Sequence, residues 1–193
     1  MVEYEKKYLL NRNEYVFLLE NLFSGKYEIK QTNHYYDSDK CFLNHMGITY
    51  RVRENDGVKC VTIKYHNQDG KEGSWEESFL INNIPTEVTY KNLALLNKGC
   101  LITVRNNNYI NNGLTLSLDR NEYLNFTDFE LEIEYNKSQK ELAWYWENKI
   151  CEMLVNGGFV KSPKEFFALK RNFSSKSNRF FKKLRELEGK HGV

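Results

Sequence analysis

The chain is poor in the residues that usually punctuate or staple a fold. It has 2 prolines in 193 residues and no low-complexity stretch, so no linker or internal boundary is expected and residues 1–193 read as one domain. Its 4 cysteines, Cys41, Cys60, Cys100 and Cys151, are widely spaced without a C-x-x-C pair, which argues against a disulfide framework and against a cysteine zinc site. The 4 histidines form no H-x-H or H-x-x-x-H pair, so the histidine zinc patterns are missing too. No apolar run reaches ~18 residues, and no secretory leader with an apolar core is visible. A cytoplasmic protein with no membrane partner is therefore expected. Charge is abundant but balanced, 28 Lys and Arg against 26 Asp and Glu. Bulk affinity for nucleic acid is not implied, and what matters is how the charges are arranged.

The arrangement follows a strand period. Alternation and β-branched or aromatic enrichment predict strands over 2–9, 28–37, 47–54, 58–66, 74–81, 100–105, 113–120 and 127–135. Short links carrying turn residues join several of them: Glu54-Asn55-Asp56-Gly57, Asp69-Gly70-Lys71-Glu72-Gly73 and Asn111-Asn112-Gly113. Such hairpin links make a mainly antiparallel sheet. Helices are expected over 13–24, over 86–98 between Pro85 and Gly99, over 139–156, over 163–170 after Pro163, and over 175–188. For the third of these, Ser138 and Glu141 suggest a capping box, Trp144, Ile150 and Leu154 an apolar face, and Gly157-Gly158 the stop.

Sorting each strand by face separates charges of one sign. Glu3, Glu5 and Lys7 oppose Val2, Tyr4 and Tyr8; Arg51 and Arg53 oppose Tyr50 and Val52; Thr62 and Lys64 oppose Val61 and Ile63. Arg105 opposes Val104, Asp119 opposes Leu118, and Glu130, Glu132 and Glu134 line one face against Leu131 and Ile133. A sheet with one wet face also alternates, but it mixes signs, whereas like charges at i, i+2 repel unless ligands of opposite sign lie among them. Clustered carboxylates without His or Cys select a hard divalent cation such as Mg²⁺ or Mn²⁺. Paired arginines match phosphate oxygens. For the polar faces to converge, the sheet must curl with them inside and the helices outside. The expected fold is thus α+β: a closed, mainly antiparallel eight-stranded β-barrel with a charged lumen.

Ordered along the chain, these motifs resemble the CYTH, or triphosphate tunnel metalloenzyme, superfamily. The resemblance rests on E-x-E-x-K (Glu3-Tyr4-Glu5-Lys6-Lys7), Tyr35-Tyr36-Asp37, R-x-R (Arg51-Val52-Arg53) and T-x-K (Thr62-Ile63-Lys64). It continues in a strand ending at Asp119, in E-x-E-x-E (Glu130-Leu131-Glu132-Ile133-Glu134) and in S-K-x-x-R-F (Ser175 to Phe180). Two positions depart from the family pattern. Thr103-Val104-Arg105 stands where K-x-R is common, and Ser74-Trp75-Glu76 where an Arg often precedes the Glu. Both bear on how the substrate is gripped. The resemblance implies that Glu3, Glu5, Asp119, Glu130 and Glu132 hold the metal. It also implies that Lys7, Arg51, Arg53, Lys64, Glu76, Arg105, Lys176 and Arg179 contact a triphosphate, with Glu5, Lys7, Lys64 and Glu132 closest to the chemistry. Glu134 reads as a solvated strand-end residue; Tyr35 and Tyr36 are ambiguous, since one of them can point into the lumen toward Lys64 or a phosphate, but burial is the commoner fate of tyrosine.

The implied activity is a metal-dependent triphosphatase releasing orthophosphate from inorganic, nucleoside or thiamine triphosphate. A class IV adenylyl cyclase is the alternative within the family, and a non-catalytic polyphosphate-binding module the alternative outside it.

Overall fold

The structure is a computed structural model, and it describes residues 4–66, 74–172 and 174–189. Along the chain the elements are β1 (Tyr4–Leu10), α1 (Arg12–Leu22), β2 (Glu28–Asp37), α2 (Phe42–His45), β3 (Ile48–Asn55), β4 (Val58–His66), β5 (Ser74–Ile81) and β6 (Glu87–Tyr90). Then follow β7 (Leu93–Asn111), β8 (Leu114–Tyr123), β9 (Phe126–Tyr135), α3 (Lys140–Asn156), α4 (Pro163–Lys170), β10 (Arg171–Asn172) and α5 (Lys176–Glu188). The architecture is α+β with a mainly antiparallel sheet. The eight expected strands are all present, with β6 and β10 in addition among the described residues. The expected 69–73 link lies outside the described residues.

The chain forms two compact units. The first comprises residues 1–29, 104–121 and 127–173, and its strand order is β10-β1-β9-β8-β7, through the second half of β7. Its core joins Tyr8, Leu114, Leu116, Leu118, Leu131 and Ile133 of the sheet to Leu18 of α1, Ile150 and Leu154 of α3 and Phe166 of α4. Leu131 is fully enclosed. Leu131→Ala is expected to cost about 2–5 kcal/mol in urea unfolding, from lost transfer energy and the cavity left behind.

The second unit comprises residues 30–103, 122–126 and 174–193. Here β7, β2, β3, β4 and β5 follow one another, and β6 pairs with the start of β7. One core gathers Tyr36, Leu43, Tyr50, Val52, Val61, Ile63 and Leu95. Another sets Phe180 and Phe181 of α5 against Tyr35, Leu101 and Tyr123. The β3–β4 link is a two-residue turn with positive φ at Asp56 (48°) and Gly57 (79°), the mirror-image geometry that suits strand twist. A Cβ on Gly57 would meet nothing within 4 Å. Gly57→Ala is therefore expected to cost only the backbone strain, about 1–2 kcal/mol, read as a shift of the thermal midpoint.

Three local expectations are corrected. Residues 86–98 are a strand, a turn and a strand instead of a helix. Val88, Thr89 and Tyr90 favour extended backbone, while Lys91 and Asn92 take positive φ (48° and 62°) and pair Tyr90 with Leu93. The Ser138/Glu141 capping box does not form: Ser138 Oγ donates to Asn136 Oδ1 at 2.7 Å within a 3-10 turn, and α3 starts without a side-chain cap. A capping box occurs instead at α1, where Glu14 N donates to Asn11 Oδ1 at 3.0 Å and Asn11 N donates to Glu14 Oε2 at 2.7 Å. Finally, the buried face of α3 runs through Ala143, Glu147, Ile150, Cys151 and Leu154, leaving Trp144 exposed. Among the described residues, no helix is long and apolar enough to cross a membrane.

Candidate functional site

Alternation along β8 and β9 sets the first cluster. Leu118, Leu131 and Ile133 enter the core of the first unit, so Asp119, Glu130, Glu132 and Glu134 turn to the other face of the sheet. Asp119, Glu130 and Glu132 are nevertheless buried. Each of the three offers a carboxylate oxygen, and these oxygens lie within 4.8 Å of one another. Buried carboxylates at that spacing are strongly unfavourable unless cations compensate them, and an all-oxygen donor set fits a hard divalent cation.

Arg105, reaching in from β7, supplies part of that compensation. Its Nε and Nη2 fork onto Asp119 at 2.8 and 2.7 Å, Nη2 also binds Glu132, and Nη1 lies 3.4 Å from Glu134 Oε1. Burial opposes the guanidinium charge, but Asp119 and Glu132 outweigh it and raise its proton affinity. On β1, Lys7 faces Glu132 on one side and Asn172 on the other, and Glu5 faces Glu134. Lys7 Nζ donates to Glu5 Oε1 at 2.7 Å. Glu3 lies outside the described residues.

Glu134 is drawn into this group instead of being simply solvated. Partial burial comes first, followed by the negative charges of Glu132 and Glu5, and together they push its carboxyl up to about 7 against the pull of Arg105. Between pH ~4.3, the ordinary carboxylate value, and about 7, the folded protein holds a proton that the unfolded chain has lost. The stability this gives is full below that window and is lost as pH rises through 7. With chelator present, Glu134→Gln is expected to match the native chain at pH 4 and to exceed it in thermal midpoint at pH 8. Equal gaps at both pH values would sink the assignment.

The second unit carries the remaining cations. Arg51 and Arg53 are two apart on β3 and share a face; Lys64 on β4 pairs with Thr49 of β3 and with Glu76 of β5. Arg53 Nε donates to Asn33 Oδ1 at 2.9 Å. Arg51 Nη2 lies 4.0 Å from Glu76 Oε1, and its Nε is buried with no hydrogen-bond partner among the described residues. The start of α5 lies on this same face. Ser177 Oγ is 2.7 Å from Thr49 Oγ1, and Phe180 packs on Tyr35 with ring centroids 5.0 Å apart. Tyr35 is fully buried among positive charges: burial raises its hydroxyl pKa, and Arg51, Lys176, Arg53 and Arg179 oppose that rise. Lys176 and Arg179 thus act on the same buried hydroxyl as Arg51 and Arg53. Tyr36 faces the apolar core and donates to the Pro85 carbonyl at 2.5 Å.

Three supporting polar residues escaped sequence reasoning. Asn172, in a two-residue strand on β1, donates to Glu130 Oε1 at 3.3 Å. Asn33 orients Arg53. Thr49 tethers Ser177. Only Asn33 had a signal, since it shares its period of two with Tyr35.

The first unit thus presents a buried carboxylate cluster whose oxygens suit a hard divalent cation, and the second a group of cationic side chains around Tyr35. The chain belongs to the CYTH family: the sequence model of the CYTH domain matches residues 1–155. Lys176 and Arg179 fall beyond the matched stretch. No curated protein sequence matches significantly.

Among solved structures, a putative adenylate cyclase from Bacillus halodurans superposes with a TM-score of 0.68 at 22% identity, over 93% of this chain and 97% of that one. A putative adenylyl cyclase from Hippeastrum, described as having a dominant triphosphatase activity, gives 0.61 at 16% identity, over 95% and 96%. A Pyrococcus horikoshii protein gives 0.62 at 18%, over 94% and 99%. These likenesses establish the shared fold.

Proposed function

We propose that the chain is a divalent-metal-dependent triphosphatase that releases orthophosphate from inorganic triphosphate or from a nucleoside or thiamine triphosphate. The carrying observation is the buried trio Asp119, Glu130 and Glu132 with oxygens within 4.8 Å of one another. A protein that merely bound anions would gain nothing from such a group. The Hippeastrum relative's described triphosphatase activity and the family membership support the same reading, with the cytoplasm as the proposed compartment.

In this reading Asp119, Glu130 and Glu132, with Glu5 of β1 and with Glu3, would hold Mg²⁺ or Mn²⁺. When bound, that cation supplies charge neutralisation at phosphoryl oxygens. Arg51, Arg53, Lys64, Lys176 and Arg179 bind phosphate oxygens, and the unpartnered Nε of Arg51 is a donor suited to one. Lys7 and Arg105 stabilise charge that develops on the transferring and leaving groups. Glu76 keeps Arg51 and Lys64 oriented.

The test is phosphate release from triphosphate, ATP and thiamine triphosphate with each metal and with chelator, alongside a cyclic AMP assay. Metal-dependent phosphate release is the expected result. Cyclic AMP and pyrophosphate from ATP would assign the cyclase activity instead, and tight triphosphate binding without turnover would assign a binding module.

A further inference from the structure

One charge on β1 has no part in the chemistry above. Lys6 lies on the same strand face as Tyr4 and Tyr8, which is the face packed into the apolar core. Tyr8 is fully buried and stacks on Phe166 with centroids 4.9 Å apart, and Tyr4 stacks on Tyr135 at 5.7 Å. The Lys6 side chain is only 15% exposed, and its ammonium binds Glu147 Oε2. The other oxygen of that carboxylate, Oε1, accepts from the Tyr8 hydroxyl. Glu147 sits in the middle of the buried stripe of α3, its side chain 5% exposed. One helix carboxylate therefore grips two residues of β1, at i and i+2, from behind the strand.

Stability alone does not account for this arrangement. A buried ion pair gives little net stability over apolar residues of equal volume, because two charges must leave water. It does discriminate between positions. A slip of β1 by one residue would turn Glu5 and Lys7 toward the helices and bring Lys6 to the face they occupied. A slip of two would keep the faces but set Tyr4 or Tyr8 where the ammonium must meet Glu147. Either slip breaks the grip, and either misplaces Lys7 from Glu132 and Glu5 from Glu134, their present opposite numbers.

We infer that Glu147 is a positioning residue for the proposed metal and phosphate chemistry, locking β1 through Lys6 and Tyr8 in the register that presents Glu5 and Lys7. The inference rests on the triphosphatase reading.

Mn²⁺ titration by calorimetry on substrate-free protein, steady-state kinetics on inorganic triphosphate and thermal midpoints form the test. The informative variants are the apolar pair Lys6→Met/Glu147→Leu and the conservative Glu147→Gln. The pair is expected to fold with a thermal midpoint below the native one only by what the buried Tyr8 hydroxyl loses with its acceptor, to bind Mn²⁺ about 10–100-fold more weakly, the range seen when residues orienting metal ligands are removed, and to lose kcat more than it changes KM. Glu147→Gln, which keeps hydrogen bonds to both partners, is expected to fall between. A folded pair variant with native Mn²⁺ affinity and kcat would overturn the inference. Should the pair not fold, Tyr8→Phe removes one of the two grips at nearly constant volume. Weaker Mn²⁺ binding in Tyr8→Phe supports the lock, and native binding overturns it. Failure of the native chain itself to bind Mn²⁺ would instead defeat the triphosphatase reading, so the two failures are separable.

Discussion

Glu132→Gln is expected to lower phosphate release on the order of a thousandfold, the upper end of what loss of one preorganised electrostatic group costs. It is also expected to weaken Mn²⁺ binding measured without substrate. The side chain is nearly enclosed, shares the 4.8 Å oxygen cluster with Asp119 and Glu130, and stands opposite Lys7 in the β1–β9 register. Glutamine has the same shape, so packing against β8 and β1 is retained and the fold should survive. What disappears is a full negative charge and one hard oxygen ligand. The amide also brings an N–H₂ group that has to turn away from Arg105. Turnover close to that of the native chain would reject the metal assignment for this residue.

Arg105→Ala is expected to act on stability as much as on turnover. Asp119 has no exposed surface and receives two guanidinium hydrogen bonds, at 2.8 and 2.7 Å. Removing the guanidinium leaves that carboxylate buried beside Glu130 and Glu132, and breaking a buried pair from one side typically costs about 3–5 kcal/mol. Arg105→Lys keeps a charge but loses the fork and should recover only part of the loss. If the carboxylates hold a divalent cation, Mn²⁺ should raise the thermal midpoint of Arg105→Ala, since a ligand of the folded state stabilises by mass action. Urea unfolding with chelator and with Mn²⁺ measures both effects. An Arg105→Ala protein as stable as the native chain, and indifferent to Mn²⁺, would contradict the picture of a charge-crowded cluster.

The sheet was largely legible because its signals are local. Asp56-Gly57 marks a two-residue turn whatever surrounds it, and Glu130-x-Glu132-x-Glu134 shows its face by period alone. Between Glu87 and Asn111 the sequence suggests a helix and a short strand, whereas the structure has the short β6, a turn and the long β7. Pro85 and Gly99 looked like helix boundaries, whereas the structure puts the break at Lys91-Asn92 by left-handed backbone, which lysine seldom signals. The candidate ligands were legible as types and faces. Their partners were not: Asn172 meets Glu130 from 42 residues away, and Lys6 meets Glu147 from 141. Glu147 was the least visible, because a glutamate in a helix reads as solvent-facing unless its buried partner is known.

The way the chain is shared between its two units has a practical side. It passes from one unit to the other at 29–30, 103–104, 121–122, 126–127 and 173–174, so neither unit is a continuous piece of polypeptide. No single cut of the polypeptide separates the carboxylate-bearing unit from the other. The division of labour between the two sets of charges is therefore dissected by point substitution in the intact chain.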